Sequence, residues 1–292
     1  MKNCCNGLES IEISERETSE QDAEIGEKSI LRPVFLYIWV MLTITDIRKE
    51  RNDFMIYYTG DIHGEVLHIR DMVTKYEITD QDVIVILGDV GMNYYGNNYG
   101  DQHRKKKLNK LEVPIFCIHG NHEMRPETIP TYHEEKWKGG TVYVEDAYPN
   151  LLFAKDGEVY DLDGQSTLVI GGAYSVDKWY RLRMDMNWFA DEQPSDEIKS
   201  RVMQKLENLN RKVDVVLSHT CPERYIPVEA FLSGIDQSTV DNSTEEWLGQ
   251  VEAQLEYGAW LCGHWHINKQ IDKLQFLYHD VICSDDLKRR LL

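Results

Sequence analysis

Three features of the 292-residue chain predict an α/β fold built on a parallel sheet. From Met55 onward, short apolar runs alternate with amphipathic or polar segments, in the order strand, helix, strand, helix, strand. The runs are continuously apolar, as expected for strands covered on both faces. The first three close on Gly-Asp or Gly-Asn, so polar groups gather where strands end.

Taken in order, "MIYYT" reads as a buried strand. In "EVLHIRDMVTKY", Val66, Ile69, Met72 and Val73 recur at helical spacing. "DVIVILGD" is the second strand, "DQHRKKKLNKL" a polar helix and "VPIFCIHGNHE" holds the third strand. Parallel strands joined in this way take right-handed crossovers. The middle of the chain changes character: "GGTVYVED", "LLFAKDGEVYDLDG" and "STLVIGGAYS" read as short strands joined by Asp-Gly and Gly-Gly turns. "PSDEIKSRVMQKLENLNRK" is a helix opened by Pro194 and Ser195, with acids in its first turn and bases near its end. "VDVVLSHT" is a strand, "STEEWLGQVEAQLEYG" a helix, and "AWLCGHWH" a strand and its end. No repeat or linker divides Met55–Leu292, so residues 55–292 are read as one domain and residues 1–54 as an N-terminal extension.

That extension contains "PVFLYIWVMLTI", an apolar run too short for a membrane span, which needs roughly 20 residues. The preceding Glu9–Glu27 carries eight acids and one arginine, unlike the basic start of a secretory signal. Met55 is read as the natural start. A strand begins there at once, and the codons for Lys49 and Glu50 can spell AAG-GAG, similar to a bacterial ribosome-binding site. On that reading the first 54 residues are translated leader.

Hydrophobic residues make up 42% of the chain, enough for a sizeable core. The net charge of −18 repels polyanions, so no stable nucleic-acid partner is expected. A small phosphate ester is not excluded, because a bound cation reverses the local potential. Six cysteines without regular spacing read as free thiols in a reducing, cytoplasmic setting. No membrane association and no protein partner is legible.

The chemistry lies at five strand ends: Asp61-Ile62-His63-Gly64, Gly88-Asp89, Gly120-Asn121-His122-Glu123, Ser218-His219 and Gly263-His264-Trp265-His266. In an open α/β sheet the carboxyl ends of strands line the functional crevice, so these clusters are expected to converge. Asp61, His63, Asp89, Asn121, His219, His264 and His266 offer only oxygen and nitrogen donors, a set suited to Mn, Fe or Zn. Seven such side chains exceed the needs of one catalytic ion but match two divalent ions sharing a carboxylate. Any one of them alone would pass for ordinary turn chemistry.

The order D-x-H, GD, GNHE, H, GHxH, spanning Asp61 to His266, resembles the calcineurin-like metallophosphoesterases. The resemblance implies a four-layer α-β-β-α sandwich, two mixed sheets face to face with flanking helices. It also implies that one metal takes Asp61, His63, Asp89 and His266 and the other Asp89, Asn121, His219 and His264, with Asp89 bridging. His122 is then the general acid or transition-state stabiliser, and Asn121 assists it. The implied reaction is hydrolysis of a phosphate mono- or diester by a hydroxide bridging the two metals, with a small phosphate ester as substrate. One departure stands out. The protein Ser/Thr phosphatase branch has GDxVDRG after the second strand, whereas this chain has "GDVGMNYYG", with Met92 and Asn93 in place of the Asp and the phosphate-gripping Arg. The chain is therefore read as a generic bacterial-type phosphoesterase.

Other residues carry less signal. His119 reads as a packed side chain, Glu123 as a cap, Cys221 as a structural thiol, and Arg104–Lys107 as a solvated helix face. The stretch "YSVDKWYRLRMDMNWF" follows a strand, so Lys178, Arg181 and Arg183 are weak candidates for substrate contact, against an equally plain reading as a solvated loop. Rival readings are a nuclease, a cyclic-nucleotide phosphodiesterase, a dinucleoside-polyphosphate hydrolase and a non-catalytic metal-binding scaffold.

Overall fold

The run "MIYYT" forms β1, Ile56–Thr59, and its alternate residues divide between two hydrophobic layers, Ile56 and Tyr58 on one side and Tyr57 on the other. This computed structural model describes residues 54–291. The readings of the N-terminal extension, including the run Pro33–Ile44, otherwise lie outside the described residues; Phe54 packs against the core.

After β1 come α1 (Val66–Lys75), β2 (Val83–Ile86), α2 (Tyr99–Asn109), β3 (Ile115–Cys117), β4 (His133–Trp137), β5 (Gly140–Val144) and β6 (Leu151–Ala154). Then follow β7 (Val159–Leu162), β8 (Gln165–Ile170), α3 (Lys178–Arg183), α4 (Asp196–Asn208), β9 (Val215–Ser218), α5 (Ser243–Glu252) and β10 (Ala259–Cys262). The chain closes with β11 (Lys269–Ile271), β12 (Leu274–Phe276), β13 (Ile282–Cys283) and α6 (Ser284–Leu291).

Two mixed sheets result, ordered β13-β1-β2-β3-β6-β5-β4 and β11-β12-β10-β9-β8-β7. β1, β2, β3 and β6 run parallel in the first. β12, β10, β9 and β8 run parallel in the second. Between the sheets lies a core that includes Tyr58, Val85, Phe116 and Val142 from the first and Tyr160, Val169, Leu217 and Leu261 from the second. The outer face of the first sheet is covered by Ile69 and Met72 of α1 and Leu108 of α2, and that of the second by Val202 of α4 and Leu248 and Val251 of α5. This is the expected four-layer sandwich. Burial on both faces explains the continuous apolar runs, each fully buried Ile or Val contributing about 1.5–3 kcal/mol.

Three local features differ from the sequence reading. α2 is not merely solvated: Lys105 is fully buried, bonds Glu145 at 2.6 Å and lies over the Tyr132 ring. Helical spacing puts Asp101, Lys105 and Leu108 on one inward stripe, and the buried charges are partnered rather than absent. β4, "HEEKW", is an exposed edge strand whose charges mask it from a hydrophobic reading. Part of the stretch read as a loop after β8 is the short helix α3.

Candidate metal centre and active site

Segments leaving the carboxyl ends of β1, β2, β3, β8, β9 and β10 meet in one crater. Their backbone is bent sharply to do so. His63 (φ 44°), Asp89 (φ 45°), His264 (φ 65°) and His266 (φ 51°) all lie in the left-handed region, a cost of roughly 1–3 kcal/mol each for non-glycine residues. The bends are fixed across strand ends. The His63 N–H donates to Asp89 O at 2.8 Å, and the His122 N–H donates to Asp89 Oδ1 at 2.8 Å. The His264 N–H lies 3.0 Å from both carboxylate oxygens of Asp61. Glycine is required at two of these approaches. A Cβ on Gly120 would fall 2.1 Å from Asp89 N and Oδ1, and one on Gly263 2.2 Å from Asp61 Oδ1. Other turns of the molecule also hold non-glycine residues with positive φ, but here four of them carry side chains that chemistry can use, which points to a functional site.

The side chains converge with their acceptors toward one another. His219 Nδ1–H donates to Leu87 O at 2.8 Å, which turns Nε2 toward the crater. That nitrogen lies 2.8 Å from Asn121 Oδ1, and His264 Nδ1 lies 3.0 Å from the same oxygen. The amide orientation is set by its other end: Asn121 Nδ2 donates to Ser175 Oγ at 2.8 Å, and Ser175 Oγ donates to Glu192 Oε2 at 2.5 Å. His219 Nε2 and Asn121 Oδ1 thus meet with the far side of each group already bonded, so both atoms face a position that a cation could share. On the other flank, His63 Nε2 and His266 Nε2 are 3.0 Å apart, and Asp61 Oδ2 lies 3.2 Å from the latter. Asp89 sits between the flanks, its Oδ2 3.9 Å from His63 Nε2 and its Oδ1 3.6 Å from His219 Nε2. Three triads bring ligand atoms within 4.8 Å of one another: Asp61, His63 and His266; His63, Asp89 and His122; Asp61, Asp89 and His219. The donors are nitrogen and oxygen throughout, which fits divalent metal ions.

Charge in the crater follows from burial and proximity. Burial alone would raise the Asp89 carboxyl, but the imidazoles of His219, His122 and His63 outweigh it and hold the group below the usual carboxylate range. Burial lowers His264 and His63, the direction that favours an imidazole lone pair over a proton. His266 is raised, chiefly by its bond to Asp61. For His122, burial is outweighed by Asp89 and Asp177, and the group is raised.

All seven proposed ligands and His122 therefore share this crater. Of the weak candidates, Arg181 is buried and touches His122, Lys178 lies 4.1 Å over the Trp188 ring, and Arg183 is exposed. Glu123 is fully buried, accepts the Val90 N–H at 3.2 Å, and burial beside Asp89 pushes it up to about 8; it holds the turn that carries Asp89. His119 is buried at the same strand end, with neither ring nitrogen hydrogen-bonded among the described residues. Ser175, Asp177, Glu192 and Tyr278, whose ring stacks 4.6 Å from His266, were not singled out from sequence. The only signal available for the first three was their position after a strand of the site-bearing kind.

A two-sheet sandwich with a histidine–aspartate–asparagine crater at its strand ends defines the class of scaffold. The profile of the calcineurin-like phosphoesterases matches residues 54–268, and the chain belongs to that family. Among solved structures it is similar to protein TT1561 of Thermus thermophilus, at 13% identity over 81% of this chain and 96% of that one, with a TM-score of 0.47. It is also similar to an archaeal phosphodiesterase, at 9% identity over 77% and 82% of the two chains with a TM-score of 0.31. A third is the phosphoesterase YfcE of E. coli, at 16% identity over 40% and 69% with a TM-score of 0.20. Comparison with curated proteins finds no match.

Proposed function

We propose that the chain hydrolyses a small phosphate mono- or diester with two divalent ions, Mn, Fe or Zn. One ion position would take Asp61, His63, Asp89 and His266, and the other Asp89, Asn121, His219 and His264. The single observation that carries this reading is the convergence of His219 Nε2, Asn121 Oδ1 and His264 Nδ1 within 3.0 Å on one flank and of Asp61, His63 and His266 on the other, with Asp89 between them. When bound, the ions would acidify water and offset charge on phosphoryl oxygens.

The chain's own groups supply the rest. Asp89, held ionised by the imidazoles around it, presents one oxygen to each flank. At His122 the carboxylates of Asp89 and Asp177 outweigh burial and favour the protonated ring, the form that would give a proton to a leaving alkoxide. Asn121 is oriented by Ser175 and Glu192, so its carbonyl faces the crater without rearrangement. The net charge of −18 supports a small substrate over a nucleic acid, and four free cysteines among the described residues accord with a reducing, cytoplasmic setting.

The test combines elemental analysis with hydrolysis of p-nitrophenyl and bis-p-nitrophenyl phosphate in Mn²⁺. Roughly two ions per chain and measurable turnover are expected. Asp89→Ala should lose both metal and rate. His122→Ala should keep metal and lose about 10²–10⁴-fold in kcat. A wild-type chain that takes up no metal, or an Asp89→Ala variant at full rate, sinks the reading.

A further inference from the structure

The turn after β2 lacks an arginine, since Asn93 is fully buried with its Oδ1 accepting from Tyr132 OH at 3.0 Å. A guanidinium nevertheless enters the crater from another segment. Arg181 lies on α3, which follows the carboxyl end of β8, and is only 7% exposed. Three of its five N–H donors are committed. Nε donates to Asp177 Oδ2 at 2.8 Å, and Nη1 donates to Asn187 O at 3.2 Å and Tyr94 OH at 3.3 Å. These bonds spread over three segments and leave the fork little freedom to turn.

The remaining nitrogen, Nη2, faces His122. It stands 3.0 Å from Nδ1 and 3.2 Å from Nε2 of that ring. An N–H directed along one imidazole lone pair cannot be nearly equidistant from both nitrogens, so this is a contact with the ring rather than a well-formed bond to either nitrogen. Asp177 Oδ1 meanwhile lies 3.7 Å from His122 Nε2 and makes no hydrogen bond among the described residues. The couple thus presents one guanidinium edge and one unused carboxylate oxygen to the same imidazole. A tetrahedral oxyanion beside His122 would satisfy all three. It would accept from Nη2, for which a guanidinium is the best-matched donor. His122 could then turn its N–H toward Asp177.

We propose that Arg181 is the phosphoryl-binding residue of this site, held by Asp177, and that it supplies from the β8 arm the clamp missing after β2. Arg181 would touch the substrate and is a catalytic residue; Asp177 acts through Arg181 and His122 and is a positioning residue. The proposal rests on the phosphoesterase reading, and its test separates the two. Inorganic phosphate is titrated calorimetrically into the Mn²⁺-loaded wild-type chain and into Arg181→Ala and Arg181→Lys, with metal content measured on each. Turnover of p-nitrophenyl phosphate is recorded in parallel. Both variants should keep their metal and bind phosphate about 10–100-fold more weakly, the range for one charge-assisted hydrogen bond. Free guanidinium in the millimolar range should restore part of the kcat of Arg181→Ala but none of that of His122→Ala. Unchanged phosphate affinity in Arg181→Lys overturns the proposal, as does loss of metal in that variant, since Arg181 would then be structural. Failure of wild type to take up metal or turn over substrate counts against the phosphoesterase reading, while phosphate affinity still decides the role of Arg181.

Discussion

The turns at residues 61–64 and 263–266 and the arm from Gly171 to Glu192 line one crater by opposite means. In the turns the backbone itself is the device. Left-handed φ angles at His63, His264 and His266, a glycine that tolerates no Cβ at 263, and main-chain bonds to Asp61 hold each imidazole in place. The arm is held by side chains. Arg125 donates from Nε to Asp191 O at 2.8 Å and pairs with Asp156 at 2.7 Å, and Asn187 Nδ2 donates to Tyr94 O at 2.8 Å. Its outer surface exposes Trp179, Tyr180, Met184 and Met186. Groups that share an ion must be placed to within tenths of an ångström, and strand-end backbone does that. Groups that meet a substrate need only be steered there, and a loop mesh allows them to vary without disturbing the ligands.

The largest effect should come from breaking a turn. Gly120→Ala forces a Cβ against Asp89 N and Oδ1, neither of which has room to retreat. Displacing Asp89 should cost on the order of 10²-fold or more in turnover, with loss of metal. Retention of both metal and rate would show that the crater is softer than its backbone suggests.

A smaller effect should come from cutting the arm's tie to a turn. Ser175→Ala removes the acceptor for Asn121 Nδ2 and frees the amide to rotate. Metal affinity, measured by competition with a chelator, should fall about 10–100-fold while the fold is retained. No change would mean that the arm plays no part in setting the ligands and that turns and arm act independently.

The last effect falls on stability rather than on metal or turnover, behind the second-sheet turn. Glu245 accepts from Thr220 Oγ1 at 2.7 Å, and Trp265 Nε1 donates to that same hydroxyl at 3.2 Å. Burial pushes the Glu245 carboxyl up from 4.5 to about 7. The native state therefore holds this proton more tightly than the unfolded chain. The resulting stability is complete below pH 4.5 and is lost as pH rises through 7, a change on the order of 3 kcal/mol. Urea unfolding of the chelated protein should show this decline between pH 5 and 8, and Glu245→Gln should make it shallower, leaving the share of Glu123, whose carboxyl is pushed up to about 8. An equally steep decline in the variant would move the effect to another group.

Much of the site was legible because its chemistry is local. Asp61-x-His63 and His264-x-His266 carry both members of a pair within three residues, and each follows an apolar run that announces a strand. Position at a strand end then implied convergence. Asp177 and Arg181 were harder to read, since an i, i+4 acid–base pair on a polar segment is what any solvated helix offers. Lys105 misled for the same reason. Its burial depends on Glu145, forty residues away, which no local pattern reveals. The late strands β11 to β13 are two or three residues each, too short to show a period.

By itself the sequence determined the layers and the candidate ligands, because continuous apolar runs demand cover on both faces and Gly-Asp and Gly-His turns demand special backbone. Tertiary structure alone decided which guanidinium reaches His122, which way Asn121 points, and which lysine is buried. Those outcomes turn on contacts between segments far apart in the chain, where geometry rather than residue type selects the partner.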